Sequence, residues 1–202
     1  METLTFPHVE AERSTAHVAL FTKVQKSAAL RKRIIAAATL EGREGEDERD
    51  VVNFAFIDAR LITSWLHLQT AICQAILAES QGSLRTKTIH SEILWVLNPT
   101  NSITEAIRRY GVSDVNSSLL VVRIGESDIP AAQVEEKMKA IVMGNITPLS
   151  ELNAVTDWAM VKKYNKLNDE LAIRNAQGDD TREHIAVDNI VVSTVAMKSV
   201  MA

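Results

Sequence analysis

Basic side chains cluster in the middle of the chain, where Arg85, Lys87 and His90 fall within one short stretch. Arg108 and Arg109 lie further along and add to its charge. Such cations contact phosphates, and a local patch of them binds RNA even in a protein of negative overall charge. On the residues alone an ordinary solvated surface is the preferred interpretation, and a phosphate-binding loop is the functional alternative.

The sequence lacks the residue patterns of common catalytic and cofactor sites. It contains no Gly-rich phosphate loop, no Gly-x-Gly-x-x-Gly, no His-Glu-x-x-His and no Gly-x-Ser-x-Gly. The histidines are scattered, with no pair at metal-ligand spacing. Cys73 lies among apolar residues of a predicted helix, which favours a buried structural thiol. We therefore expect no catalytic residue, no metal and no cofactor.

Two polar residues keep an enzymatic alternative open. Asp58, close to Arg60, and Asn98 each come at the end of an apolar run. A small-molecule-binding or enzymatic site at strand ends near Asp58 and Asn98 is therefore the alternative function. The simpler interpretation of Asp58 is a turn residue that ends a strand and pairs locally.

Composition narrows the class of protein further. The 202 residues, of which 46% are hydrophobic and 24% charged, fit one globular domain. No apolar run approaches the length of a membrane span, and no signal peptide is visible. The net charge of −4 and the 4% of aromatic residues disfavour a freestanding RNA-binding module. We expect a protein of the cytosol or the nucleus.

Apolar runs and the residues that interrupt them predict an α+β (mixed α/β) single domain over residues 1–202. About four strands, at 16–21, 51–57, 93–97 and 118–124, alternate with helices that cover the sheet. Ser102 and Glu105 match a capping box at the start of a short helix. The acidic segment at 41–50 cannot bury apolar surface, so we predict a mobile loop insertion there, removable without loss of folding.

The C-terminal part of the chain is predicted to be helical. Residues 155–171 indicate one helix or a broken pair, and 182–201 indicate a terminal helix in spite of many β-branched residues. That helix is apolar on two sides, so we expect one side to face the core and the other a partner protein. Plain core packing of both sides is the alternative.

Several stretches carry a family resemblance. Arg-Thr-Lys-Thr at 85–88 precedes Ser-Glu-Ile-Leu, and Leu-Asn-Pro-Thr-Asn-Ser-Ile-Thr-Glu-Ala-Ile-Arg-Arg-Tyr-Gly-Val follows at 97–112. Phe-Ala-Phe-Ile-Asp-Ala-Arg-Leu-Ile at 54–62 and Val-Lys-Lys-Tyr-Asn-Lys-Leu at 161–167 extend the match. With the apolar C-terminal segment, these stretches resemble the kinase-binding subunit of the KEOPS (EKC) complex, also called the PRPK-binding protein family.

The resemblance implies a non-catalytic adaptor that binds and modulates a small atypical kinase directly. Through the kinase it would join the enzyme that places threonylcarbamoyl groups on adenosine 37 of tRNA. The resemblance assigns the kinase contact to C-terminal helices, here to Tyr164, Leu171, Val191 and Val195.

The resemblance also implies that the chain binds the single-stranded 3′ CCA end of tRNA. We predict that Arg85, Lys87 and His90 take part in this binding. The resemblance further implies a location in nucleus and cytoplasm and a link to telomere maintenance, with no membrane partner.

Overall fold

The computed structural model describes residues 1–176 and 178–201. Within these residues the chain has the predicted mixed α+β fold, with five strands and eleven helices. The strands are β1 (Glu2–Thr5), β2 (Thr15–Thr22), β3 (Ala55–Asp58), β4 (Ser118–Gly125) and β5 (Asn145–Thr147). The helices are α1 (Ser27–Thr39), α2 (Gly42–Val51), α3 (Trp65–Ser80), α4 (Ile89–Leu97), α5 (Ile103–Tyr110), α6 (Ala131–Ile141), α7 (Leu152–Val155), α8 (Trp158–Asn165), α9 (Leu171–Arg174), α10 (Asp180–Ala196) and α11 (Lys198–Met201).

The chain divides into two compact units. Unit 1 comprises Met1–Asp58 and Gly111–Leu149, and unit 2 comprises Ala59–Tyr110 and the chain from Ser150 onward. Among the described residues, unit 1 holds the strands together with α1, α2 and α6, and unit 2 holds the remaining helices. The prediction of one domain over residues 1–202 is not tested by this division and stays a prediction.

Unit 1 is built on an antiparallel sheet with the order β1-β2-β4-β3. Strands β2 and β4 form its centre, with Ala19 opposite Val121. Strands β1 and β5 pair with successive halves of the other edge of β2, where Phe21 lies opposite Ile146. The sequence did not predict β1 and β5, because they are short edge strands with few apolar residues.

One face of this sheet forms a hydrophobic core with α1 and α6. Aromatic and β-branched side chains of the strands meet Leu30 on α1 and Met138 on α6. The buried members of this core are Ala19, Phe21, Leu30, Ala37, Val52, Phe54, Phe56, Leu119, Val121, Val134, Met138 and Val142.

The acidic segment of unit 1 is the helix α2, so the prediction of a loop at 41–50 is wrong. Arg33 on α1 donates two hydrogen bonds to Glu48, at 2.5 and 3.2 Å. Arg49 donates to the carbonyl of Leu40, at 2.8 Å, beyond the C-terminal end of α1. A Cβ on Gly45 would lie 2.2 Å from the Leu40 oxygen, so this close approach requires glycine. Ion pairs and backbone contacts therefore hold α2 against α1 and Leu40. The sequence of α2 has no apolar stripe from which a helix could be predicted.

The strand predicted at 93–97 is also wrong, because these residues belong to α4. Thr88 and Ser91 form a capping box, in which Ser91 N–H donates to Thr88 Oγ1 at 3.1 Å and Thr88 N–H donates to Ser91 Oγ at 3.2 Å. A short apolar run that is buried on all sides has no periodicity that separates strand from helix. The strands predicted at 16–21 and 118–124 are confirmed, and the one at 51–57 is shorter because α2 continues to Val51.

Unit 2 is a helical assembly in which α3 packs against both α4 and α10. Ser64 caps α3 by accepting a hydrogen bond from His67 N–H at 3.0 Å. Nearly every residue of α4 is buried, so this helix lies at the centre of the unit. The predicted terminal helix is confirmed as α10, followed by the single turn α11.

Candidate functional site

The basic loop, which we define as residues 83–88, runs from the end of α3 to the start of α4. Arg85 and Lys87 are exposed in it, and neither forms an ion pair within the described part of the chain. The residue between them, Thr86, turns inward and donates its hydroxyl to Glu92 at 2.6 Å. The structure therefore places two of the three predicted phosphate-binding residues together on a solvent-facing segment.

Glu92 in the first turn of α4 holds the basic loop in its conformation. Its carboxylate accepts from Arg85 N–H at 3.1 Å and from Thr86 N–H at 2.8 Å, besides the Thr86 hydroxyl. The Glu92 side chain is fully buried, with 0% of the residue exposed. Ser91 adds a further tie by donating to Thr86 Oγ1 at 3.0 Å. The sequence analysis assigned no role to Glu92, although the spacing of an acid just beyond a Thr-x-Thr segment was visible.

His90 does not belong to this surface. It is buried, at 5% exposed, because α4 begins at Ile89 and turns the His90 side chain inward. The prediction that His90 contacts tRNA is therefore wrong in its geometry. The error follows from expecting a loop up to the predicted strand at 93–97, whereas α4 begins at Ile89.

Arg108 and Arg109 are engaged elsewhere. Both pair with Glu105 within α5, at 2.6 and 2.5 Å, and the hydrogen bond from Arg108 lowers the pKa of the Glu105 carboxyl. The guanidinium of Arg109 also lies over the ring of Tyr164 on α8, 4.9 Å from its centroid. These two arginines therefore connect α5 with α8 and are partly neutralised.

The structure corrects the predicted kinase contact on α10. Val191 and Val195 are buried, at 1% and 2% exposed, and with Val187 they form the stripe that faces the interior of unit 2. They have no surface to offer to a partner, so their predicted partner-facing position is wrong. The sequence could not orient this helix, because apolar residues occur all round it.

Other apolar side chains of the C-terminal helices do face solvent. Ile185 on α10 is 57% exposed, Leu171 on α9 is 72% exposed and Val200 on α11 is 75% exposed. Met197, between α10 and α11, is also exposed, and Tyr164 is half-buried. Two of the four predicted contact residues, Tyr164 and Leu171, therefore remain accessible.

Two side-chain contacts fix α8 against the start of α10. The rings of Trp158 and His184 stack with centroids 3.8 Å apart and planes inclined by 7°. One helical turn away, Lys162 on α8 forms an ion pair with Glu183. Both contacts lie immediately before Ile185 on α10, and the Ile185 side chain itself remains exposed.

A buried lysine attaches the C-terminal turn to unit 2. The Lys198 ammonium donates to the carbonyls of Asn98 and Thr100 and to Asn101 Oδ1, each at 2.9 Å, and lies 4.7 Å from the centroid of the Trp95 ring. Only 4% of the residue is exposed, and this burial lowers the pKa of the ammonium. The sequence analysis missed Lys198, because its partners lie about a hundred residues away along the chain.

A second buried polar group links α3 to α10. The hydroxyl of Thr63 donates to Asp188 Oδ1 at 2.6 Å, and Thr63 N–H donates to His67 Nδ1 at 3.3 Å. Complete burial lowers the pKa of His67 to about 4, so the imidazole is neutral at physiological pH. This arrangement is a packing contact, and the fully buried ring offers no accessible base.

The residues of the enzymatic alternative have structural positions. Asp58 is 2% exposed at the end of β3. Asn98 is fully buried, and its amide donates to Thr100 O at 2.9 Å and to Ser102 O at 3.3 Å. One cleft is lined by residues from 25–33 and 141–143, and another by residues 1–2 and residues from 135–148. Neither Asp58 nor Asn98 lines these clefts.

The described residues contain no group of three or more His, Cys, Asp or Glu side chains placed to hold a metal ion. They also contain no helix long and apolar enough to cross a membrane.

Comparison with known proteins decides the family. Residues 21–199 match the family of kinase binding protein CGI-121. The chain belongs to the CGI-121 kinase-binding family. The family resemblance stated from the sequence is thereby confirmed, and the match includes the basic loop as well as α8 to α10.

Relatives of the CGI-121 family match over the full length of the chain. A Cryptococcus neoformans protein named EKC/KEOPS complex subunit CGI121 is 33% identical, with 100% of each chain covered. Proteins of the same name from Gibberella zeae and Neurospora crassa are 30% and 31% identical, with 99% and 98% of each chain covered. These relatives are named as subunits of a complex, and their family is named for binding a kinase.

Proposed function

We propose that this chain is the kinase-binding subunit of an EKC/KEOPS complex and acts there as a non-catalytic adaptor. The observation that carries the proposal is the exposed apolar surface of the C-terminal helices, in a chain of the CGI-121 family. We call this surface the C-terminal face and define it by Leu171, Ile185, Met197 and Val200. Large apolar side chains that stay exposed in the isolated chain are candidates for contacts with a partner protein.

The C-terminal face replaces the contact predicted from the sequence. Leu171 is retained, and Tyr164 stays a candidate at the edge of this surface. Ile185 takes the place of Val191 and Val195, because its side chain is exposed whereas theirs are buried. Its position is rigid, since the Trp158–His184 stack and the Lys162–Glu183 pair fix the neighbouring turn. A rigid apolar anchor binds without a large cost in conformational entropy.

Calorimetric titration of the chain with the kinase of its own complex tests this surface. Ile185→Glu should lower the affinity at least a hundredfold, because a charge would replace an apolar anchor in the contact. Ile107→Glu on α5 is the matched control, since Ile107 is also exposed, at 52% against 57% for Ile185. Full affinity of Ile185→Glu, or loss of affinity only with Ile107→Glu, would move the kinase contact away from α10.

The adaptor role also means that the chain itself catalyses no reaction. We expect the purified chain to hydrolyse no nucleotide and transfer no group. ATP turnover that is lost on Asp58→Ala in a folded variant would contradict this and support the enzymatic alternative. A location in nucleus and cytoplasm, an indirect link to the tRNA-modifying enzyme and a role in telomere maintenance follow from membership of the complex and stay predictions.

The second part of the proposal is that the basic loop binds tRNA, at its single-stranded 3′ CCA end. The supporting observation is the pair of exposed cations, Arg85 and Lys87, on a loop whose nearest acid, Glu92, is buried. Few exposed aromatic rings are available for stacking, so we expect phosphate contacts to dominate and the affinity of the isolated chain to be modest.

Salt-dependent binding of tRNA tests the loop. Each phosphate contact on a single strand contributes about −0.7 to the slope of log affinity against log salt. Arg85→Ala with Lys87→Ala should therefore weaken binding and flatten the slope by about 1.4. Removing the CCA end from the tRNA should have nearly the same effect on the parent.

The matched control is Lys163→Ala with Lys166→Ala, which removes the same charge from exposed positions around the end of α8. This control should retain the parent slope. Equal losses in the two double variants would show that tRNA responds to overall charge and not to the basic loop.

A further inference from the structure

Glu92 is the feature of unit 2 that the proposed function leaves unexplained. It is the only acid between Ser83 and Leu97, and it is completely buried. Burying a carboxylate is costly unless hydrogen bonds replace its hydration. Here backbone and hydroxyl donors of the basic loop surround it, from Arg85 N–H, Thr86 N–H and Thr86 Oγ1.

This arrangement has two consequences for the surface. The Glu92 charge is withdrawn from solvent, so this acid presents no exposed negative charge beside the exposed side chains of Arg85 and Lys87. The inward turn of Thr86 also directs the residues on either side of it outward. A loop that is held in one conformation by hydrogen bonds loses less conformational entropy on binding than a flexible loop does.

We propose that Glu92 is a positioning residue for polyanion binding: its buried carboxylate holds the backbone of the basic loop so that Arg85 and Lys87 meet successive phosphates of single-stranded RNA. The inference rests on the proposed tRNA-binding function of the loop. Glu92 itself contacts no phosphate, since none of its surface is exposed.

The direction in which Glu92→Gln changes the tRNA affinity distinguishes a positioning role of Glu92 from a purely electrostatic effect of its charge. Glu92→Gln removes a negative charge near the RNA, and Coulomb attraction alone would therefore tighten binding. Loss of positioning works in the opposite direction, because a Gln amide turns an N–H donor toward the donors of the loop. We expect Glu92→Gln to bind tRNA about tenfold more weakly, from the cost of ordering the loop on binding.

The experiment measures tRNA affinity, kinase affinity and melting temperature for Glu92→Gln in the full chain. Weaker tRNA binding by a folded variant with kinase affinity within about twofold of the parent supports the proposal. A folded variant that binds tRNA as tightly as the parent, or more tightly, overturns it.

Two variants of Thr86 test the positioning role if Glu92→Gln does not fold. Thr86→Val keeps the shape of the side chain but removes the hydroxyl that donates a hydrogen bond to Glu92, and Thr86→Ser keeps that hydroxyl. We expect Thr86→Val to lose about threefold in tRNA affinity and Thr86→Ser to recover it. Equal affinities for the two variants would contradict the positioning role.

The variant Arg85→Ala with Lys87→Ala separates this inference from the function on which it rests. If that variant loses tRNA binding while Glu92→Gln does not, only the positioning role fails. If that variant binds as the parent does, the basic loop is not the RNA site.

Discussion

The two ends of α4 hold buried charges of opposite sign. At the N-terminal end, the Glu92 carboxylate accepts hydrogen bonds from N–H and hydroxyl groups of residues 85 and 86. At the C-terminal end, the Lys198 ammonium donates to two carbonyls and one amide oxygen of residues 98–101. Each charge lies where the dipole of the helix favours its sign. In both places peptide and side-chain dipoles, and not an opposite ion, solvate the charge.

A buried charge that is solvated by dipoles therefore supports a surface at each end of α4. The Glu92 end fixes the basic loop, and the Lys198 end fixes the turn α11 that carries Val200 of the C-terminal face. Helix α4 is nine residues long, about 14 Å from end to end, and almost wholly buried between the two charges. The two surfaces are therefore attached to one rigid element at separate places, so we expect changes at one end to leave the other intact.

The largest expected effect on stability is at the Lys198 end. Lys198→Ala would leave two buried carbonyls and Asn101 Oδ1 without their donor and remove the cation from the Trp95 ring. We predict a loss of about 3–4 kcal/mol in the free energy of unfolding, measured by denaturant titration. Kinase affinity should also fall, because α11 would be released.

Lys163→Ala is the control for this change, since Lys163 is exposed and should tolerate the substitution within about 0.5 kcal/mol. A Lys198→Ala protein as stable as this control would mean that the contacts of Lys198 are not formed in solution.

The next prediction concerns His67, a buried group that, unlike Glu92 and Lys198, lacks a full set of hydrogen-bond partners. His67 Nε2 has no hydrogen-bond partner among the described residues, and burial lowers the pKa of the ring from 6.5 to about 4. Between these values the unfolded chain binds a proton that folded His67 does not. The free energy of unfolding should therefore fall as the pH drops from 6.5 to 4, by about 3 kcal/mol in total.

Thermal melting of the parent and of His67→Gln across this pH range measures the effect. Burial also lowers the pKa of His17, so the variant should retain part of the slope. Parallel pH profiles for the two proteins would show that His67 is protonated or solvated in the folded state.

The smallest effect concerns one partner of Lys198. Asn101→Ala removes the side-chain acceptor and leaves the two carbonyls in place. We predict a loss of about 1 kcal/mol in the free energy of unfolding and no change in tRNA affinity. A change in tRNA affinity on this substitution would show that the two ends of α4 are coupled, contrary to the comparison.

The sequence predicted the Glu92 end better than the Lys198 end, for a physical reason. The basic loop and its partners lie within ten residues, so Arg85 and Lys87 could be named even though α4 was taken for a strand. Lys198 contacts residues about a hundred positions earlier in the chain, and no local sequence pattern indicates such a contact. The side of α10 that faces the core was likewise undetermined, because Ile185 and Val191 are equally apolar and only packing against α3 distinguishes them.

In the proposed function, the kinase and tRNA bind separate surfaces of unit 2. The most direct test measures both affinities for the parent, for Ile185→Glu and for Arg85→Ala with Lys87→Ala. We predict that Ile185→Glu loses kinase affinity at least a hundredfold and keeps tRNA affinity within about twofold. We predict the reverse pattern for the basic-loop variant, with unchanged kinase affinity. Loss of both affinities in either folded variant would contradict the proposal of separate surfaces.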